Sequence, residues 1–397
     1  MKKTAVAVKP ASRCHVMSFT LGILCYWAAM YVYVPTFSVY AESLGASMSA
    51  VGLAVGAYGL TQMMTRVPIG IWSDAMGKRR GIVVAGMLVC GVAAAGLALS
   101  PSPAWLVVFR AVMGLAAATW VCSTVLFTSY FPGSDPSVPL SIMSLMSGLG
   151  QVAGTSSGGI LAEKFGWTMP FWISMVLSVV AAMVLLLPPD DTTAKPMTVS
   201  RASILRIAKA PLLLLACGVG VIVYFATFST VYGFTTVLAE RLGATRTQLG
   251  FLTTAALLAY SLLTILTPRL VKRWGERHTL FLGLLALTLA TLPTPLVGGL
   301  GGLFVLQALN GIGRGMLYPL LMSLSIKAVT PPDRASAMGI FQASYALGMF
   351  IGPWISGGLA DSLGLPSVFV LCGCLCLGCL MTCLLVTTRG TLCASLT

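Results

Sequence analysis

The chain has 397 residues and a net charge of +14, yet only 9% of its residues are charged and 57% are apolar. A soluble domain carries about 25% charged residues, so a water-soluble protein of this length is excluded. The basic residues stand in short clusters between apolar runs. A nucleic-acid-binding protein gathers them on one solvated face, so a nucleic-acid partner is excluded as well, and a lipid bilayer is expected.

Twelve apolar stretches follow one another along the chain, each long enough to cross a bilayer, which takes about 20 helical residues. We number them spans 1 to 12, and they cover residues 16–40, 50–72, 82–100, 104–129, 140–162, 168–187, 211–238, 248–270, 279–297, 303–327, 337–360 and 367–387. No alternating barrel pattern is present, and an open sheet edge cannot be satisfied in lipid. The sequence therefore predicts an all-α membrane protein with 12 transmembrane helices.

The two halves of the chain repeat at an offset of 198 residues. The segment YAESLGASMSAVG around Ala41 corresponds to LAERLGATRTQLG around Ala239. A repeat that spans six helices is typical of a duplicated transporter half. We therefore predict two pseudo-symmetric six-helix bundles, residues 1–187 and 211–397, joined by a linker over residues 188–210.

The distribution of Lys and Arg predicts the orientation. Eighteen of these residues lie in segments on one side of the membrane, and only Lys164, Arg241 and Arg246 lie on the other. Because cytoplasmic loops collect basic residues, both termini and the linker are predicted to be cytoplasmic. We expect span 1 to be uncleaved and the protein to lie in the inner (plasma) membrane.

The loop after span 2 reads Gly70-Ile-Trp-Ser-Asp74-Ala-Met-Gly77-Lys78-Arg79-Arg80. It resembles the signature of the major facilitator superfamily between spans 2 and 3, and it departs from that signature at Ala75, where the family has a basic residue. The resemblance covers the whole chain and implies a secondary transporter that works by alternating access. It also implies a gating motif formed by Gly70, Asp74, Gly77, Lys78 and Arg79, with the acid near basic residues or a helix N-terminus.

Glycines recur at four-residue spacing in spans 5 and 11. Those predicted to let helices approach closely are Gly150, Gly154, Gly158, Gly348 and Gly352. Span 5 resembles the glycine motif of family antiporters, although Thr155 replaces the usual proline. Span 4 carries Arg110 four residues before Gly114, which resembles an element of proton-driven facilitators. These resemblances favour an exporter of drugs or metabolites that works as an antiporter.

Arg66, Arg110 and Arg314 fall inside predicted spans, whereas none of the ten acidic residues falls in the middle of one. A charge inside a membrane span is costly, so each arginine is a candidate substrate-binding residue, and Asn310 lies one turn before Arg314. Three buried guanidinium groups would repel a cationic substrate. The sequence therefore favours neutral, amphipathic or anionic substrates.

Two functional interpretations stay open. In the first, the protein is an efflux transporter whose cavity wall includes Tyr26, Trp27, Tyr31, Tyr224 and Phe225, since spans 1 and 7 line the cavity in the family. In the second, it imports or exchanges small inorganic or organic anions, because Arg66 in span 2 resembles the anion-binding arginine of nitrate porters. Either a proton or a counter-anion would be the coupled ion.

Other classes of protein find no support in the sequence. Eleven cysteines and two histidines are present, but the cysteines are scattered over apolar helices and do not form a convergent ligand set. We expect no metal, no cofactor and no enzymatic activity, and we expect the transporter to be a monomer.

Overall fold

The computed structural model describes residues 12–132, 135, 137–190, 206–327, 329–330 and 333–388. All regular elements within these ranges are helical, so the all-α prediction is confirmed for them. The stretch 191–205, which holds most of the predicted linker, lies outside the described residues, as does the side chain of Asp74.

The helices follow the predicted spans. In the first half they are Arg13–Tyr31 and Val34–Ser43 in span 1, Met48–Met76 in span 2, Arg80–Ala98 in span 3, Pro103–Ala118 and Trp120–Ser129 in span 4, Ser137–Phe165 in span 5 and Met169–Leu185 in span 6. In the second half they are Pro211–Ser229 and Thr235–Arg241 in span 7, Arg246–Thr291 through spans 8 and 9, Leu300–Lys327 in span 10, Arg334–Leu363 in span 11 and Pro366–Thr388 in span 12.

Spans 1, 4 and 7 are interrupted near their middles. Span 1 breaks at Val32 and Tyr33, span 4 at Thr119, and span 7 passes through a π-helical turn over Thr230–Phe234. Irregular backbone within a membrane is tolerated where neighbouring helices cover it or where it lines a cavity. These breaks therefore point to the part of the structure where a cavity is expected.

Spans 8 and 9 are two helices that follow one another at Gly275 without a loop between them. Gly275 has a φ of 83° and a ψ of 163°, so the helix direction changes there. In the part of the chain that the structure describes, six helical stretches are long and apolar enough to cross a membrane by length and composition alone; the helix of span 6, Met169–Leu185, is apolar but shorter, and spans 2, 5, 10 and 11 are not among the six either. These four spans carry internal prolines, serines or arginines, as expected for helices that face a polar interior rather than lipid.

The predicted repeat is visible in the backbone. The described glycines with positive φ are Gly45, Gly77 and Gly166 in the first half and Gly243, Gly275 and Gly364 in the second. Each pair is separated by 198 residues (243 − 45, 275 − 77 and 364 − 166). The two halves therefore use positive-φ glycines, which carry no Cβ penalty, at three equivalent helix ends.

The predicted helix-packing glycines lie at helix crossings within each half. A Cβ on Gly150 or Gly154 would collide with the backbone of span 1, for example 2.7 Å from the carbonyl oxygen of Ala28 at Gly154. Gly348 and Gly352 make the equivalent approach to the backbone of span 7. Gly158 also lies against span 1, at the carbonyl of Val32. Spans 5 and 11 can approach their neighbours this closely only because these residues have no side chain.

The two halves meet most closely at the predicted outer face. Gly56 of span 2 lies against Phe350 of span 11, and Gly159 of span 5 lies against Gly250 of span 8. Among the described residues, the hydrogen bonds that join the two halves within the membrane lie near the predicted outer face or near the middle of the membrane. The hydrogen bonds of Arg66 are the ones that lie closest to the predicted inner face. The structure is therefore closed at the predicted outer face.

Candidate functional site

A small cavity lies between the two halves at the level of the helix breaks. Its wall consists of Met30, Tyr31, Val34, Tyr58, Arg110, Phe228 and Tyr232. Span 1 contributes the residues on either side of its break, and span 7 contributes Tyr232 from its π-helical turn. The interruptions of the two helices thus place side chains from both halves around one space.

Arg110 of span 4 is 5% exposed and lies in an aromatic cage. Its Nη1 donates a hydrogen bond to the hydroxyl of Tyr33, the residue at the break in span 1. Its Cζ lies 4.9 Å from the ring centroid of Tyr58 and 5.0 Å from that of Phe37. The negative ring faces offset part of the desolvation of the guanidinium, but its buried Nε has no hydrogen-bond partner among the described residues.

Arg314 of span 10 is 7% exposed and has an equivalent environment in the second half. Its Nη2 donates to the hydroxyl of Tyr232 at 3.1 Å, and its Cζ lies 5.0 Å from the ring centroid of Tyr260. Asn310, one turn earlier in span 10, makes no side-chain hydrogen bond with Arg314. Nη1 of Arg314 and Oδ1 of Asn310 are both buried without a hydrogen-bond partner in the described part of the chain.

Arg66 of span 2 joins the two halves on the side of the cavity that faces the predicted inner face. Its Nη1 donates to Oε1 of Gln342 at 3.0 Å and to the hydroxyl of Tyr345 at 2.9 Å, both in span 11. Its Nη2 donates to Oε1 of Gln62, one turn earlier in its own helix. Arg66 thus has three side-chain acceptors, whereas Arg110 and Arg314 have one each.

None of these guanidinium groups pairs with a carboxylate among the described residues. The ion pairs that are seen, Arg206–Asp333, Arg241–Glu42 and Lys327–Glu276, lie at the membrane faces. A buried charge without a counter-charge is strongly unfavourable, and hydroxyl, amide and ring contacts compensate only part of the lost hydration. The centre of the protein therefore carries excess positive charge.

The structure brings together some of the predicted binding residues and separates others. Tyr31 and Arg110 line the cavity, and Arg314 lies directly behind the wall residue Tyr232. The remaining predicted aromatics, Tyr26, Trp27, Tyr224 and Phe225, do not line this cavity. They pack elsewhere, Trp27 at 5.2 Å from Trp120 and Tyr224 at 4.2 Å from Tyr345, measured between ring centroids.

Tyr58 is a wall residue that the sequence reasoning missed. It lies in span 2 at 8% exposure, in contact with Arg110 and stacked at 6.1 Å on Phe228 of span 7. It stands eight residues before Arg66, which places the two residues about 80° apart around the helix, on adjoining parts of one face. The spacing between Tyr58 and Arg66 was the feature of the sequence that could have identified Tyr58 as a candidate site residue.

The gating motif forms the end of span 2 and the turn that follows. The helix ends at Met76, and Gly77 takes a left-handed conformation with a φ of 62°. The backbone N–H groups of Arg79 and Arg80 both donate to Oδ1 of Asp190 at 2.9 Å, so the acid after span 6 caps the start of span 3. The turn and the end of span 6 therefore share one membrane face.

Two helical bundles that enclose a central cavity, lined by aromatic side chains and a buried arginine, define a polytopic membrane carrier. The model of the Major Facilitator Superfamily matches residues 19–238 and 216–392, and the chain belongs to this family. The predicted family, the fold of 12 transmembrane helices in two bundles and the transporter class are thereby confirmed. The protein is an integral membrane transporter of small molecules.

Relatives cover most of the chain. A protein of Lactococcus lactis subsp. lactis described as a multi-drug resistance efflux pump PmrA homolog is 26% identical over 349 residues, with 85% of this chain and 86% of that protein covered. The multidrug resistance protein MdtH of Aeromonas salmonicida is 26% identical over 373 residues, covering 87% and 91%. The crystal structure of the nucleoside transporter NupG superposes with a TM-score of 0.73 at 14% identity, covering 94% of this chain and 98% of that one.

Proposed function

We propose that this transporter exports small anionic molecules by alternating access. The observation that carries the proposal is the burial of Arg110 and Arg314 at the centre of the protein without an acidic partner among the described residues. An anion that binds between them supplies the missing counter-charge and accepts hydrogen bonds from the unpartnered N–H groups. A cation would raise the electrostatic free energy of the same site.

Export is supported by the relative described as a multi-drug resistance efflux pump homolog and by the antiporter-like glycines of span 5. A counter-anion is favoured over a proton as the coupled ion, because none of the ten acidic residues lies in the middle of a predicted span. Import or exchange of anions is a second candidate. It is favoured by Arg66, whose guanidinium bridges spans 2 and 11 and would be exposed when the inner side opens.

The binding of anions can be tested by thermal unfolding of the purified protein in detergent. A ligand that binds only the folded state raises Tm by mass action. We expect benzoate or succinate to raise Tm more than benzamide or succinamide. Arg314→Gln should abolish the difference, and Arg314→Lys should weaken it, because lysine lacks the planar fork that matches a carboxylate. Arg273→Gln, at an exposed position of the predicted inner face, is the matched control.

Equal Tm shifts for each acid and its amide would contradict anion binding. The direction is tested with any anion that passes this screen, by comparing its uptake into everted and right-side-out membrane vesicles. Uptake confined to everted vesicles supports export, whereas uptake confined to right-side-out vesicles supports the importing alternative.

We further propose that the protein is a monomer in the plasma membrane, with both termini in the cytoplasm. The linker 188–210 would also be cytoplasmic, and it would join a first bundle that ends at residue 187 to a second that begins at residue 211. The basic bias of one face supports this orientation. A cysteine at Lys209, which is exposed at the start of span 7, should be protected from an impermeant thiol reagent in intact cells. Labelling from outside the cell would reverse the assignment.

A further inference from the structure

Arg110 and Arg314 lie in corresponding spans of the two halves, although the repeat offset places Arg110 on Ala308 and not on Arg314. Arg110 lies in the fourth span of the first half and donates to Tyr33 in the first span of that half. Arg314 lies in the fourth span of the second half and donates to Tyr232 in the first span of that half. The repeat offset places Tyr33 on Val231, the neighbour of Tyr232. Each half therefore holds one guanidinium by a tyrosine hydroxyl, and Arg110 lines the central cavity while Arg314 lies directly behind its wall residue Tyr232.

Both guanidinium groups retain hydrogen-bonding capacity. Arg110 has an unpartnered Nε and Arg314 an unpartnered Nη1 within the described part of the chain, and both residues are more than nine-tenths buried. Buried donors without acceptors are rare in folded proteins because each costs free energy. Arg66 also has a buried Nε without a partner in the same part of the chain, but Gln62, Gln342 and Tyr345 accept from the rest of its guanidinium. Arg110 and Arg314, one from each half, have one side-chain acceptor each and are therefore the least compensated of the three arginines.

Aromatic and apolar side chains separate the two groups. Tyr58 lies against Arg110 and stacks on Phe228, and the ring of Phe228 lies 5.0 Å from that of Tyr232, which accepts from Arg314. Met30 and Val34 complete the apolar part of the wall. A single carboxylate would meet one guanidinium and leave the other without a counter-charge.

We propose that the substrate is a dianion whose two acidic groups are held apart by an aromatic or apolar spacer, with Arg110 binding one group and Arg314 the other. This proposal rests on the proposed function. Such a ligand touches both halves at once, so its binding energy depends on their relative position. It can therefore favour the occluded arrangement in which both guanidinium groups reach it, which a monoanion cannot do to the same extent.

An isosteric charge series tests the proposal. Terephthalate, terephthalamate and terephthalamide carry two, one and no negative charges on the same ring, and the isophthalate series changes the separation of the acidic groups. Affinity is measured from Tm against ligand concentration for the purified full-length protein. We expect at least one dianion to bind about tenfold or more tightly than its monoanion, since each charged hydrogen bond contributes at least that factor.

The arginine variants distinguish the possible outcomes. Arg110→Gln and Arg314→Gln should each reduce the affinity for the dianion to that for the monoanion, while Arg273→Gln should leave it unchanged. Arg110→Lys and Arg314→Lys keep the positive charge and serve as controls in case a glutamine variant does not fold. Both lysine variants should retain part of the preference for the dianion.

A monoanion that binds as tightly as the dianion, or a dianion affinity that survives either glutamine variant, would overturn the two-arginine assignment. The proposed function would still stand in that case, provided that binding of the monoanion requires one of the arginines. If neither terephthalate nor isophthalate shifts Tm, the proposal of a dianionic substrate also fails. Whether the protein binds anions at all is then decided separately by comparing benzoate with benzamide and succinate with succinamide. Equal binding of the diamide would overturn both.

Discussion

Asp361 and Glu163 lie 198 residues apart (361 − 163) and make the same kind of contact from opposite halves of the protein. Asp361, at the end of span 11, accepts hydrogen bonds from the backbone N–H groups of Met48 and Ser49, both at 2.9 Å. Glu163, at the end of span 5, accepts one from the N–H of Thr247 at 3.1 Å. Each carboxylate thus caps the first turn of a helix in the other half, where N–H groups lack intrahelical acceptors. We call this pair the outer latch.

The outer latch should hold the predicted outer face closed. Replacing both acids with alanine removes two caps that contribute about 1 kcal/mol each, so the ratio of open to closed protein should rise roughly 30-fold. Spin labels at Lys164 and Ser362, which are exposed on spans 5 and 11, report the separation of the halves in a cysteine-free background. Glu240→Ala, an exposed acid at the same face, is the control, and an unchanged distance distribution in the double variant would contradict the latch.

The contact that Asp361 makes in the outer latch should be insensitive to pH in the physiological range. Burial raises the pKa of Asp361, but the hydrogen bonds from Ser49 and Met48 outweigh it and hold the pKa below the usual 3.8. A lowered pKa means that the carboxylate stabilises the closed state fully above its ordinary pKa and loses this effect as the pH falls through the lowered value. The label distances should therefore stay constant from about pH 5 to 8 and lengthen only below about pH 4. Opening near neutral pH would show that another group controls the face.

Gly154→Ala should destabilise the fold. The new Cβ would lie 2.7 Å from the carbonyl oxygen of Ala28 and 3.0 Å from the N of Val32, and backbone atoms cannot move aside as a flexible side chain can. Overpacking of this kind costs about 1–3 kcal/mol. Gly218→Ala is the matched control, because a Cβ there meets nothing within 4 Å and alanine is the better helix former. Thermal unfolding should show a lower Tm for the first variant only, and equal Tm values would contradict the tight helix crossing.

Asp74→Asn should slow transport more than it weakens ligand binding. The residue lies in the last turn of span 2, next to the left-handed turn at Gly77 and away from the central cavity. A group that acts only while the inner side opens and closes changes the rate of that step but not the contacts of the bound ligand. Counterflow rates and Tm shifts with the same anion separate the two effects. A variant that transports at the rate of the unmodified protein would remove Asp74 from the gate.

Charge and repetition made parts of the site predictable. Because few residues inside the predicted spans are charged, Arg110 and Arg314 could be selected as candidate binding residues from the sequence. The repeat offset of 198 residues likewise predicts equivalent backbone positions in the two halves, such as the positive-φ glycines Gly77 and Gly275. The partners of the arginines were not predictable, because hydropathy places a residue inside the membrane without fixing its direction around the helix. The break at Tyr33 and the π-helical turn before Thr235 change that direction locally, so Tyr232 reaches the cavity while Tyr26 packs within its own half.

The excess positive charge at the centre also makes the protein sensitive to voltage. When the inner side opens while the predicted outer face stays closed, most of the membrane potential would fall across the outer barrier, and the guanidinium groups would stand near the potential of the inner compartment. An inside-negative potential of 100 mV then favours this arrangement by about 2.3 kcal/mol for each uncompensated charge. A bound dianion would neutralise the charges of Arg110 and Arg314 and would therefore remove most of the preference that the voltage gives to this arrangement. The membrane voltage would thus return the empty carrier toward the cytoplasm and leave the loaded carrier free to open outward.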